Sequence, residues 1–146
     1  MAEIKHLVAL GCSFTFGQYL DTTDNVGMGD PPRPGRHSWP NLVADHFQVS
    51  ATNLAWPGGS CRLVAHRCIH HEWQQGDVAL ILWPSMHRHW FLDVADKDHI
   101  SNNWCPNSSN YTRWWKRGYS NDNDREASAY MMKTLVKLHL DKMGVP

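Results

Sequence analysis

The chain has 146 residues, with 14 basic and 14 acidic side chains and a formal net charge of zero at neutral pH. That length sets one domain, large enough to bury roughly two-thirds of its unfolded surface. The balanced charge gives no global pull toward nucleic acid or an anionic membrane. No run approaches the roughly 20 apolar residues of a membrane span, and the opening Met-Ala-Glu-Ile-Lys-His carries no signal-peptide pattern. Cys12, Cys61, Cys68 and Cys105 show neither framework spacing nor C-x-x-C, which predicts free thiols in a reducing, cytoplasmic setting. Ten histidines and eight tryptophans are many for this length. Tryptophan suits either a pocket wall or a well-filled core.

Residues 4–10 read as a buried strand, an apolar run that stops at Gly11. Ser13 follows two residues later, so the strand delivers a hydroxyl to the edge of a sheet. In open α/β sheets ligands bind at that edge, outside the carboxyl ends of the strands. Residues 18–37 are polar and rich in Gly, Pro and Asp, and read as a long functional loop. Ser38 is placed as the N-cap of a helix reaching about Phe47. Pro40 sits in its first turn, and Trp39, Leu42, Val43 and Phe47 fall on one face.

Residues 48–54 read as a second strand and 55–60 as a turn. Ser60 caps a further helix, whose Cys61, Val64, Ala65, Cys68 and Ile69 make a buried stripe. Gly76 and Asp77 end that unit. Val78–Trp83 is apolar throughout, the pattern of a strand covered on both faces. Residues 84–123 read as an irregular, lid-like insertion. A final helix over about 124–142 carries Ala127, Met131, Leu135 and Leu138 along one face, and Gly144 and Pro146 stop it. The alternation predicts an α/β fold, a three-layer α/β/α sandwich on a parallel sheet. Three strands make a small sheet. The final helix should lead into a fourth, which predicts a truncated chain or a sheet completed in a homo-oligomer.

The block Gly11-Cys12-Ser13-Phe14-Thr15 resembles the nucleophile block of the SGNH (GDSL-type) hydrolases, usually Gly-Asp-Ser-x-Thr, with Cys12 in place of the Asp. Asn53-Leu-Ala-Trp-Pro-Gly58-Gly-Ser60 resembles the family's turn after strand two. The resemblance implies a flavodoxin-like sheet, Ser13 as nucleophile and Gly58 as a backbone oxyanion donor. In the third block the family has Gly-x-Asn-Asp. Here strand three runs into Trp83-Pro-Ser85-Met-His87-Arg88-His89, so Ser85 aligns with the oxyanion Asn and Arg88 lies beside it. This form is closer to phage-associated members. The fourth block, Asp-x-x-His, has no match after the last helix. Asp96-Lys-Asp-His99 has the spacing but precedes that helix.

A serine hydroxyl needs a base within reach and donors aimed at the developing oxyanion. Gly58 suits the second demand, with the Ser13 N–H as another donor. His87 and His89 follow strand three and so lie at the right sheet edge. In an extended segment they point opposite ways, so at most one faces Ser13. The base is therefore expected from an absent C-terminal segment, or else from His87 or His89. The bland readings are a Ser13 hydroxyl that caps its own turn and ordinary loop histidines.

His66 and His70 share a helix face, and with Cys68 and His71 they raise a zinc reading. No second ligand pair has metal-site spacing, so the face reads as solvated and no metal or organic cofactor is expected. Arg113-Trp-Trp-Lys-Arg117 mixes aromatic and basic residues. It reads as a lid over the sheet edge rather than as a single-strand nucleic-acid platform. The sequence thus predicts a serine esterase or acyl-transfer enzyme acting on an ester or glycan-like substrate. The alternative is a catalytically inactive module of the same fold that binds carbohydrate or another small ligand.

Overall fold

Among the described residues, three short strands pair in parallel in the order β2-β1-β3. The structure, a computed structural model, describes residues 4–18, 20, 33–85 and 122–146. The apolar run after Lys5 forms β1 (His6–Leu10), whose last four residues are buried. A short helix, α1 (Ser13–Phe16), follows at once; the sequence pattern did not anticipate it. Next come α2 (Trp39–Phe47), β2 (Ser50–Asn53), α3 (Cys61–His70), β3 (Asp77–Ile81) and α4 (Asp122–Met143). His6 pairs with Ser50 on one side and Asp77 on the other, and Ala9 with Asn53 and Leu80. The strands therefore run in register and end together.

β1 is central and buried along both faces. Val8 and Leu10 join Val64, Ala65 and Cys68 of α3, Trp73, and Val136 and Leu140 of α4 in one core cluster. Leu7 and Ala9, on the other face, are buried as well. α2 touches β1 and β2. Ser60 caps α3 as predicted, its hydroxyl accepting from the Leu63 N–H at 3.3 Å. Gly144 closes α4 in the left-handed region (φ 69°), and the Val145 N–H reaches back to the Leu140 carbonyl at 3.0 Å.

Four expectations are corrected. β3 is not covered on both faces: after Asp77 its residues are half-buried. It is the outer strand of the described sheet, and on its far side the Ala79 N–H donates to the Pro146 carbonyl at 3.0 Å. α2 buries Pro40 and Ala44, whereas Leu42 and Phe47 are exposed, because the helix lies on the sheet through its small residues. In α3, Ile69 is exposed and Leu63 takes a buried place. The largest correction concerns α4. Its expected inner face, Ala127, Met131, Leu135 and Leu138, is exposed throughout. Arg125, Val136 and Leu140 are buried in its stead, with Met132 packed on the core beside them, because the α3 surface lies on that side. The helix also starts at Asp122, which shortens the stretch read as a lid-like insertion; positions 86–121 of it lie outside the described residues.

Gly11 is needed where β1 ends. A Cβ there would overlap the Thr15 side chain, 2.7 Å from its Cβ, and stand 3.0 Å from the Leu82 carbonyl oxygen. Neither neighbour has room to yield, since Thr15 is fully buried. Gly11→Ala is expected to cost about 2–3 kcal/mol through overpacking. The check is a lower urea midpoint at unchanged m-value.

Candidate functional site at the carboxyl edge of the sheet

The parallel register brings three loops to one edge. Beyond the last paired residues, the Leu54 N–H donates to the Ala9 carbonyl at 2.8 Å, the Trp56 N–H to Gly11 at 3.3 Å, and the Leu82 N–H to Leu10 at 3.0 Å. Ser13 lies two residues past Gly11, Gly58 two past Trp56 and Ser85 three past Leu82. Three of the residues singled out from the sequence thus belong to adjoining loops at the carboxyl ends of β1, β2 and β3. Arg88, His87 and His89 lie outside the described residues, as do Asp96–His99 and Arg113–Arg117.

Ser13 opens α1, with extended Cys12 before it. Its carbonyl accepts from the Gly17 and Gln18 N–H groups at 3.0 and 3.1 Å. The side chain is half-buried and its neighbour Phe14 is exposed, so the hydroxyl stands at the surface of the edge. Among the described residues, no base is hydrogen-bonded to it. Gly58 has φ 73°, the left-handed region that a Cβ disfavours. The following Gly59 is packed against the Gly11 carbonyl, where a Cβ would stand 3.0 Å away. The two turns are therefore in direct backbone contact.

The residue that joins them is Asn53, which the sequence showed only as part of a motif. Its Nδ2 donates to the Thr15 carbonyl at 2.7 Å and lies 3.5 Å from the Ser38 hydroxyl. Its Oδ1 accepts from the Ala55 N–H at 3.1 Å. That last bond is an Asx turn, a local signal legible in an Asn just past an extended run. The reach to Thr15 spans 38 residues and has no local signal. Ser38 makes no side-chain cap to α2 and is fully buried beside Asn53.

Arg67 holds the same turn from the α3 side. Its Nη1 donates to the Leu54 carbonyl at 2.5 Å and the Ala55 carbonyl at 3.3 Å. The guanidinium lies 4.9 Å from the Trp56 ring centroid. Burial pushes its pKa below the usual range, but a guanidinium remains charged in proteins. A cation thus stands behind the turn that carries Gly58. Beside the edge, a cleft of about 330 Å³ is lined by Cys61, Pro84, Glu126, Ala129, Tyr130 and Lys133. Its rim carries one charge of each sign and one phenol.

His66 and His70 share a face as expected, their rings stacked 4.2 Å apart. Burial first, then the neighbouring His70 and Arg67 charges, lowers the His66 pKa, which favours the neutral ring at pH 7. Among the described residues, no three His, Cys, Asp or Glu side chains converge on a metal-sized site. No described helix is long and apolar enough to cross a membrane.

The described cysteines, Cys12, Cys61 and Cys68, are free and buried. Burial raises the Cys61 thiol, partly countered by Lys133, and pushes Cys68 up to about 11. Thiols held protonated in this way are not nucleophiles at pH 7. For Cys68 the pH sign follows from linkage. The folded chain keeps the proton that the unfolded chain releases, so the contribution is intact below about pH 9 and is lost toward pH 11. Wild type is expected to lose roughly 2–3 kcal/mol over that window through this group. Cys68→Ala should flatten the slope, read from urea midpoints at a series of pH values.

Comparison of the chain with protein-family models, with curated proteins and with solved structures gives no match.

Proposed function

We propose that this chain is a serine hydrolase of the SGNH type, an esterase or acyl-transfer enzyme built as a three-layer α/β/α sandwich on a flavodoxin-like sheet. The observation that carries the reading is the meeting, at one sheet edge, of the Ser13 turn and the left-handed Gly58 turn, tied together by Asn53. The strand order β2-β1-β3 and the burial of β1 on both faces support the fold.

In the proposed reaction the Ser13 Oγ attacks an ester carbonyl. The proton of its hydroxyl passes to a base, for which His87 and His89, both outside the described residues, are the candidates after β3. The N–H groups of Ser13 and Gly58, with Ser85 or Arg88, receive the charge that develops on the carbonyl oxygen. Collapse expels the alcohol, which takes the proton from the base. Water then attacks the acyl-serine by the same route, restoring Ser13 and releasing the acid. No metal or organic cofactor enters these steps. The cleft lined by Cys61, Tyr130 and Lys133 is assigned to the substrate, a small ester or glycan-like molecule.

Intact mass after exposure to a serine-directed fluorophosphonate tests this reading; one adduct is the expected result. A second reading has an observation of its own. No base bonds the Ser13 hydroxyl among the described residues, as in a catalytically inactive module that binds a glycan or another small ligand. Absence of an adduct, together with saturable glycan binding that survives Ser13→Ala, would replace the first reading with the second.

A further inference from the structure

We infer that the chain pairs with a second copy of itself through the outer face of α4, the two helices running antiparallel. Met131, Leu135 and Leu138 are 57%, 47% and 60% exposed. Single exposed aliphatics are ordinary. Here three large ones recur at spacings of four and three, the seam spacing of paired helices. The line is distinct from the inner face of α4, where Val136 and Leu140 are buried and Met132 packs on the core.

The ends of the line identify the partner. Continued at the same spacing, it reaches Lys142 in one direction and Ser128 and then Asp124 in the other, all within α4. Asp124 and Lys142 are exposed. Read along the helix, the seam is Asp124, Ser128, Met131, Leu135, Leu138, Lys142. Its members pair off at equal distances from position 133: Asp124 with Lys142, Ser128 with Leu138, Met131 with Leu135. An antiparallel copy therefore sets a carboxylate against an ammonium at both ends, with Met131 against Leu135 at the centre and Leu138 over Ser128 between. A parallel copy would set Asp124 on Asp124 and Lys142 on Lys142, which charge repulsion opposes. Antiparallel alignment also opposes the two helix dipoles favourably. A single helix pair lies near the lower limit of about 1,000 Å² for a specific interface, so a weak, micromolar dimer is expected. This inference is independent of the hydrolase reading.

Sedimentation equilibrium of the full chain between about 1 and 300 μM tests it, since that range brackets micromolar dissociation. The expected result is a reversible monomer–dimer equilibrium. Leu135→Glu should leave the far-ultraviolet circular dichroism unchanged and abolish the dimer. Lys142→Asp should weaken it about tenfold or more, by placing carboxylates against each other at both ends. Adding Asp124→Lys to that variant should restore affinity to within a few-fold of wild type. A chain that stays monomeric throughout overturns the proposal, because the seam is then covered by other means or not at all. A dimer indifferent to Leu135→Glu places the interface elsewhere. A charge exchange that fails to restore affinity overturns the antiparallel register.

Discussion

Ser13→Ala is expected to abolish the fluorophosphonate adduct and to lower ester turnover by about 10⁴- to 10⁶-fold, the range seen when a serine nucleophile is removed. The side chain is half-buried at the first position of α1, and its hydroxyl makes no hydrogen bond among the described residues. Losing that hydroxyl opens no cavity of consequence and, among the described residues, leaves no buried group unpaired. Stability should therefore move by no more than about 0.5 kcal/mol. The combination is diagnostic, because a serine that merely supported its turn would lose stability and chemistry together. The backbone N–H groups of Ser13 and Gly58 survive the substitution, so the residual rate should remain above that of water. An adduct that persists in Ser13→Ala would place the nucleophile elsewhere and remove the basis of the proposed mechanism. Thr15 is a poor substitute candidate, since its side chain is fully buried against Gly11.

Much of this edge was legible in the sequence, for local reasons. A short run of apolar residues that halts at Gly11 reads as a buried strand, and Gly11 does pack against Thr15. Ser60 three residues before Leu63 is a capping signal, and the cap forms. What escaped was whatever a distant partner decides. α4 carries two apolar lines, Met131–Leu135–Leu138 and Met132–Val136–Leu140. Periodicity alone cannot say which turns inward; Val64 and Cys68 of α3 make that choice by lying beside the second. β3 has the composition of a central strand but the half-burial of an outer one, because composition does not report strand order. Asn53 shows the same limit at the site: its bond to Ala55 is local, but its bond to Thr15 exists only once β1 and β2 have paired.

That double duty makes Asn53 the position where the proposed site should be most fragile. Asn53→Ala would leave the Thr15 carbonyl and the Ala55 N–H without their partner at a half-buried position. Each orphaned group costs about 1–3 kcal/mol, so a loss of roughly 2–4 kcal/mol is expected from the urea midpoint. The folded fraction should also label about 10²-fold more slowly with fluorophosphonate, because a displacement of about 1 Å between the two turns is enough for that. Asn53→Asp separates the two bonds. The introduced carboxylate still accepts from the Ala55 N–H, but when ionised it faces the Thr15 carbonyl oxygen with no proton to offer. Protonated, it can donate there as the amide does. Its pKa is therefore raised in the folded state, and the deficit relative to wild type should be small below about pH 4 and widen as the pH rises through the folded value. If the deficit is the same at acid and neutral pH, Asn53 acts only through its own turn. If, in addition, labelling by the folded fraction is unchanged, the two turns do not depend on it for their alignment.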